Sequence, residues 1–221
     1  LRELQSGETL SRWNELIAEQ PALRIRNAAR ELGVSEVQLL TLRIGEGVVR
    51  LKPQFAAILS EVKNLGHVMA LTRNEDVVHE RKGTYLNASL DKGPVGLFVG
   101  ADIDLRIFWG SWSTAFAVNE AGHDGDRLSL QFFAHDGEAI HKIYLTDKSD
   151  VPAYHALVAS FRADDQFAAI DVQPRKVPQP EMPDASIDVE GFRDGWKNLK
   201  DTHDFHMLLG RYRLNRTQAL R

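Results

Sequence analysis

Two histidines and an arginine near the end of the chain carry the residue types best suited to chemistry. They lie in the segment KDTHDFHMLLGRYRLNRTQAL, where His203 and His206 are three residues apart and Arg216 lies thirteen beyond His203. On a helix, residues three apart sit on one face, so both imidazoles could point the same way beside Phe205, Met207 and Leu208. A neutral imidazole in apolar surroundings is a common ligand for iron, zinc or copper. The ordinary alternative is a pair of half-buried histidines on a helix surface. Zinc catalysis has weaker support, because there is no HExxH pair and no thiolate, and a third ligand would have to come from elsewhere. A continuous helix would hold Arg216 about 20 Å from His203 at about 1.5 Å per residue. The chain must therefore fold back for the two to share a ligand. Leu209-Gly210 is expected to end one helix and Asn215 to cap the next, placing Arg216 at its start. Read in isolation, Arg216 is an ordinary exposed arginine.

The elements that would position these groups restart a pattern already present near the N-terminus. Trp13 and Leu16 align with Trp196 and Leu199, Val34-Ser35-Glu36 with Leu214-Asn215-Arg216, and Gln38 with Gln218. A gap of about three residues separates the two blocks, and before it Glu19, Gln20 and Pro21 stand opposite Thr202, His203 and Asp204. Ligand-type side chains thus occur in one copy of a duplicated scaffold, which marks that copy as the binding copy. The chain is expected to stop inside its second repeat.

Apolar patterning gives the first copy its elements. Thr9–Glu19 reads as a helix with Leu10, Trp13, Leu16 and Ile17 on one face. Leu23–Leu32 follows with Ile25, Ala28, Ala29 and Leu32 inward, Gly33 as its stop and Ser35 as the cap of the next helix, Glu36–Arg43. A further helix over Pro53–Lys63 buries Phe55, Ile58, Leu59 and Val62. The period then changes to that of strands over 67–72, 77–85, 95–99, 103–108, 113–120, 128–134 and 140–145. The connections Arg73-Asn74-Glu75-Asp76, Asp91-Lys92-Gly93-Pro94, His123-Asp124-Gly125-Asp126 and His135-Asp136-Gly137 carry turn chemistry, and the last two predict antiparallel hairpins. Within 128–133, Leu128, Leu130 and Phe132 alternate with Ser129, Gln131 and Phe133, a half-buried pattern. A helix over Pro152–Phe161 closes the unit. Gln173–Ala185 holds Pro174, Pro178, Pro180 and Pro183, half of the 8 prolines in the chain, and reads as an extended linker. The predicted fold class is α+β: helices packed on a large meandering antiparallel sheet, in a tandem structural repeat whose second copy is truncated. The expected organisation is a first repeat over 1–170, a Pro-rich linker over 171–187 and the helical start of a second repeat over 188–221.

Composition narrows the function classes. A 221-residue chain with 43% hydrophobic residues can bury a real core. The 27 basic against 31 acidic residues give a net charge of −4, which argues weakly against a bulk nucleic-acid binder. With no cysteine, disulfides, thiolate zinc sites, iron–sulfur clusters and cysteine nucleophiles are excluded for this chain. No apolar run reaches the roughly 20 residues of a membrane span, and LRELQSGETLSRW lacks a signal-peptide pattern. The expectation is a soluble cytoplasmic chain without membrane insertion, whose first residue is not Met.

Other constellations compete for a function. Asn27–Arg43, NAARELGVSEVQLLTLR, has the alanines, turn glycine and capping serine of a helix-turn-helix, with Arg24, Arg26, Arg30 and Arg43 to meet phosphates. Glu31, Glu36 and the acidic total favour a purely structural hairpin, so DNA is a possible but not favoured partner. The segment LRIFWGSWSTAF concentrates Phe108, Trp109, Trp112 and Phe116, either as sheet core or as a platform for a flat aromatic ligand. His79 and Arg106 are isolated polar residues on predicted strands. No phosphate-cradling glycine loop and no GxSxG elbow is present.

These segments together resemble the bacterial cytoplasmic haem-utilisation proteins, the family of haemin-degrading factors and haem-transport proteins. The resemblance covers essentially the whole chain and rests on ARELGVSE, TRNEDVVHE, DLRIFWGSWSTAF, LQFFAHDGEAIHKIYLTD and KDTHDFHMLLGRYRLNRTQALR. It implies a tandem duplication in which each half packs helices on an antiparallel sheet, with one haem in a cleft between elements of the two. It places the proximal haem ligand on His203, in KDTHDF, and a distal arginine on Arg216. It leaves His206, where many relatives carry an aromatic residue, as an alternative iron ligand. It maps the aromatic edge of the pocket onto Phe108, with Arg106 as a neighbour. Relatives of this family continue for well over a hundred further residues, which add basic and tyrosine groups to the cleft.

The resemblance implies one of two functions. The first is a carrier that accepts imported haem and passes it to a haem oxygenase in iron acquisition. The second is an enzyme that opens the haem ring with electrons from an external donor, since the chain shows no flavin or nicotinamide motif. The missing redox motif favours the carrier. The oligomeric state is not encoded in any of these features.

Overall fold

The structure, a computed structural model, describes residues 2–91, 93–120, 125–175, 180–201 and 204–221. The chain divides into two compact units, Leu1–Arg175 and Lys176–Arg221.

The first unit opens with helices α1 (Arg2–Glu19), α2 (Ile25–Leu32) and α3 (Glu36–Thr41). A short strand β1 (Val48–Leu51) and helix α4 (Phe55–Glu61), continued by a 3-10 turn over Val62–Leu65, lead into β2 (Gly66–Arg73) and β3 (Val78–Gly83). Strands β4 (Val95–Phe98), β5 (Leu105–Phe108), β6 (Trp112–Glu120), β7 (Arg127–Ala134) and β8 (Ala139–Ser149) precede helix α5 (Val151–Phe161). Six strands form one sheet in the order β1-β6-β7-β8-β2-β3, with antiparallel pairing throughout, while β4 and β5 form a separate two-stranded ribbon. This is the α+β arrangement expected from the order of periodicities. The pairings β6–β7 and β7–β8 are the antiparallel neighbours that the two Gly-containing connections predict. Residues 121–124, with His123 of the first of these connections, and Lys92 lie outside the described residues.

The half-buried reading of β7 is corrected, because the sheet is covered on both faces. Leu130, Phe132, Ala117, Ile143 and Val68 pack with Ile58 and Leu59 of α4 and Leu157 of α5 on one side. Phe133, Phe116, Val118 and Val48 pack with Val37 and Leu40 of α3 on the other. Ser129 and Gln131 therefore lie in the interior, where the Gln131 amide Nε2 donates to Ser129 Oγ at 3.0 Å. Polar residues at alternate positions read as solvent-facing; here they satisfy each other under a layer of helices.

One further element differs from the sequence reading. Strand β1 was not anticipated, since VVRL is a four-residue run with no alternation of its own. It is held by the chain after α5: Lys52 N donates to Phe161 O at 2.7 Å and Ala163 N to Arg50 O at 2.9 Å. The two strands expected within LRIFWGSWSTAF form as β5 and β6, and a 3-10 turn over Trp109–Ser111 moves the chain from the ribbon to the main sheet.

The α2–α3 hairpin has the local chemistry expected of it. Gly33 takes the left-handed conformation (φ 69°) that ends α2, and Val34 N reaches back to Ala29 O at 3.0 Å. Ser35 and Gln38 form a reciprocal capping box at the start of α3. Ala28 and Ala29 let the helices approach Trp13, whose ring lies 4.4 Å from the Arg43 guanidinium. A groove-reading role for α3 is corrected: it has six residues, and Glu36, Val37, Leu39 and Leu40 are all buried in the fold. Glu36 is the first residue of α3 and accepts from Lys142 Nζ at 2.7 Å and from Arg73 Nη2, so a buried carboxylate pins the helix to β8 and β2. Burial pushes its carboxyl up, but the Lys142 and Arg73 charges outweigh this and hold it below the ordinary value.

The second unit contains α6 (Val189–Lys197), α7 (Asp204–Tyr212) and the single turn α8 (Arg216–Ala219). Helix α7 runs past Leu209-Gly210, where the sequence predicted its end, because Gly210 keeps helical geometry and the left-handed residue is Arg213 (φ 56°). The turn that follows repeats that of the first unit bond for bond. Arg213 N donates to Gly210 O as Gly33 N does to Arg30 O, both at 3.2 Å, and Leu214 N to Leu209 O as Val34 N does to Ala29 O, both at 3.0 Å. Asn215 Oδ1 then accepts from Gln218 N at 2.7 Å, the role Ser35 plays toward Gln38. Counting back from this shared turn through the helix without a gap puts Leu23, rather than Gln20, opposite His203.

Candidate functional site

The second unit is built around Phe192 of α6 and Leu208, Leu209 and Leu214, which form its buried cluster. Asp188 caps α6 by accepting from Gly191 N at 2.9 Å. Gly195 lets α6 approach α7 closely, since a Cβ there would stand 2.6 Å from Leu208 Cδ1. Phe192, Trp196, Phe205 and Tyr212 form a chain of ring contacts, the closest being Trp196 to Phe205 at 4.6 Å between centroids.

With Leu208 and Leu209 turned inward, α7 presents His206, Met207, Gly210 and Arg211 to solvent. Met207 is 69% exposed, an unusual position for a large apolar side chain. Gly210 lies one turn beyond His206, and a Cβ there would meet nothing within 4 Å. A glycine inside a helix costs about 1 kcal/mol relative to alanine, and no contact within this unit calls for it. The result is a flat strip of helix surface that carries an imidazole and a thioether. Such a strip fits a flat, largely apolar ligand with a metal at its centre, because a side chain at position 210 would hold the plane away from His206. His203, the first iron-ligand candidate, lies outside the described residues, as does Thr202. Among the described residues no cluster of three or more His, Cys, Asp or Glu could hold a bare metal ion.

Asn215 caps α8 as expected and places Arg216 at its first position, exposed and with no ion-pair partner among the described residues. Gln218 is buried, and its amide Nε2 donates to Met182 O at 2.6 Å and Asp184 Oδ1 at 3.1 Å, which fixes the turn that carries Arg216.

In the first unit, β5 alternates exposed and buried residues, so Arg106 and Phe108 project from one face and Ile107 from the other. Phe108 is 59% exposed, while Trp112 and Phe116 are core. His79 is an exposed residue of the outer strand β3. His141, which no sequence motif singles out, is the most constrained of the described histidines. It is fully buried beside Trp112 and Phe132, with Tyr85 Oη at 2.7 Å from Nε2 and Thr72 Oγ1 at 2.9 Å from Nδ1. Burial lowers its pKa to about 4 and raises that of Tyr85, so both are neutral structural groups. The Glu36–Arg73–Lys142 triad was also missed, since nothing in SEVQ distinguishes a buried first-turn acid from a solvated one.

Comparison with known proteins places this architecture. The chain is 38% identical over 208 residues to the hemin transport protein HmuS of Yersinia pestis, matching 92% of this chain and 58% of that protein. Its structure is similar to that of holo-PhuS, described as a heme-binding protein from Pseudomonas aeruginosa, with a TM-score of 0.92 and 45% identity over 97% of this chain and 62% of PhuS. It is also similar to ChuS, described as an E. coli heme oxygenase, with a TM-score of 0.81 and 31% identity over 96% of this chain and 60% of that one. The chain thus spans about three fifths of the length of each of these relatives. No helix among the described residues is long and apolar enough to cross a membrane. Residues 33–161, from the α2–α3 turn to the end of α5, match the haemin-degrading HemS.ChuX domain, and the chain belongs to that family.

Proposed function

We propose that this chain is the haem-binding part of a cytoplasmic haem carrier, which accepts imported haem and passes it to a haem oxygenase during iron acquisition. The observation that carries this reading is the 45% identity to PhuS, a heme-binding protein, over nearly the whole chain. The flat exposed strip of α7 beside His206 supports it. In this reading His203 is the axial ligand of the haem iron and His206 an alternative ligand during hand-over. Arg216 stands on the distal side, where a guanidinium can donate to an iron-bound water or a propionate. Phe108 supplies an aromatic wall, with Arg106 as its cationic neighbour.

A haemin titration followed by absorbance tests the assignment. A stoichiometric histidine-type Soret band is expected in this chain and is lost in His203→Ala. His206→Ala has a smaller effect, and Arg216→Ala changes the distal side while histidine ligation persists. Equal affinity and identical spectra for the parent chain and His203→Ala would remove His203 from the site.

The likeness to ChuS supports a second reading, oxidative haem degradation with an external electron donor. The two readings part when haem-loaded protein is given a reductase and catalase. Ring opening that survives catalase favours the enzyme, and intact haem favours the carrier.

A further inference from the structure

The first unit holds a cavity of about 660 Å³ on the face of the sheet that α2 and α3 cover. Its lining comes from the start of α2, from α3 and from β2, β3, β6, β7 and β8. Leu23, Ile25, Met69, Leu71 and Val78 give it apolar wall, and Tyr144 adds an aromatic face. Its cations are Arg24, Arg26, Arg73, Arg127 and Lys142, and its carboxylates are Glu36, Glu80 and Glu120. Arg73 and Lys142 are already engaged by Glu36. Arg24 and Arg127 make no ion pair among the described residues, and Arg26 makes only a long one, with Glu138.

Three features of these groups are incomplete within the protein. Arg24 stands at the N-cap of the eight-residue helix α2 and its side chain caps nothing, so the first-turn amides have no side-chain acceptor there. Arg26 Nε is buried without a hydrogen-bond partner and makes only a long ion pair, 3.9 Å, with the partly exposed carboxylate of Glu138. The Arg127 guanidinium lies 4.8 Å from the Tyr144 ring centroid and makes no ion pair among the described residues. A helix N-terminus without a side-chain cap, an arginine nitrogen without a hydrogen bond and a stacked guanidinium at one cavity are the parts of an oxyanion site.

We propose that this cavity binds an organic anion, with a carboxylate or phosphate seated at the start of α2 near Arg26 and Arg127 and an apolar body against Met69 and Leu71. The ligand is not held through a metal. The lining offers no imidazole or thiolate, and burial pushes the Tyr144 phenol up to about 12, which disfavours the phenolate that would bind ferric iron. Leu23 stands where the second repeat has His203, so at this position the first copy carries an apolar side chain and the second an imidazole. The proposal stands independently of the haem reading.

Fluorescence titration of the full chain with 8-anilinonaphthalene-1-sulfonate, an anion on an apolar body, tests it. Saturable 1:1 binding is expected, weakened about tenfold or more in Arg26→Gln and in the more exposed Arg127→Gln, and unchanged in His203→Ala. Competition by inorganic pyrophosphate identifies phosphate as the head group recognised, and competition by suberate identifies carboxylate. Circular dichroism of each variant establishes that the fold is retained. Displacement by neither competitor, or equal binding by both folded arginine variants, overturns the proposal.

Discussion

Replacing Glu36 tests whether the helical hairpin is held to the sheet by charge. The carboxylate is buried and bridges Lys142 and Arg73, both of which are themselves largely buried. Glu36→Ala leaves two cations in the interior without a counter-charge, a loss of about 3–5 kcal/mol. For a chain of this size each kcal/mol moves the melting temperature by about 2–4 °C, so the shift is on the order of 10 °C. The sign with pH follows from the lowered carboxyl. A depressed folded value means that the unfolded state takes up the proton first as pH falls. The stabilisation is complete above the unfolded glutamate value of about 4.3 and is lost as pH falls through the lower folded value. Urea unfolding of the parent chain and Glu36→Gln should therefore differ most at pH 7 and converge below pH 4. A double-mutant cycle with Lys142→Met should show strong coupling. A loss under about 1 kcal/mol for Glu36→Ala at pH 7, or a Glu36→Gln difference that is flat with pH, would refute the argument.

Further expectations follow from local geometry. Tyr85→Phe strips His141 Nε2 of its partner and should destabilise by about 1–3 kcal/mol in the same assay. His141 itself, with its pKa lowered to about 4, should show no NMR titration above pH 5; since an unfolded histidine protonates near 6.5, its contribution is present above that value and declines as pH falls toward 4. Gly137 has φ 80°, and a Cβ there would stand 2.5 Å from Ser35 Oγ, so Gly137→Ala should cost about 1–3 kcal/mol and loosen the contact in which Gly137 O accepts from Val37 N. Asn215→Ala removes the cap of α8 and should cost about 0.5–2 kcal/mol, a loss that calorimetry and helical ellipticity would reveal and Asn215→Ser should largely restore.

What sequence reading captured was set by neighbours along the chain. The turn at Gly33, the capping by Ser35 and Asn215 and the β7–β8 hairpin all depend on a few consecutive residues, and each formed as expected. What it missed depends on partners far along the chain. Ser129 and Gln131 read as solvent-facing because their cover comes from helices on both sides of the sheet. Nothing marked the role of Glu36, because its cations lie 37 and 106 residues away. Strand β1 exists because the chain returns after α5 to pair with it. In the candidate site, the exposure of Phe108 and Met207 followed from packing that leaves them over, and apolar residues carry no sequence mark that separates such a position from core. The repeat register was legible at its turn and shifted before it, where α1 is longer than its counterpart and no capping signal fixed the gap.

The two edges of the main sheet bear on how safely the chain exists at high concentration. Beside β1, the backbone of residues 161–163 and the Gln166 side chain occupy the hydrogen-bonding groups of Arg50 and Lys52. Among the described residues β3 has no such cover beyond β2, yet it carries His79, Glu80, Arg81 and Lys82 in succession. A foreign strand that docked there would bring its backbone against a row of charged and polar side chains that stay solvated at the surface. One border is therefore closed by pairing and the other by hydration, two defences against the edge-to-edge growth that turns open sheets into aggregates. Replacing the charges of β3 with threonine and valine would leave the monomer's interior untouched while opening a route to self-assembly.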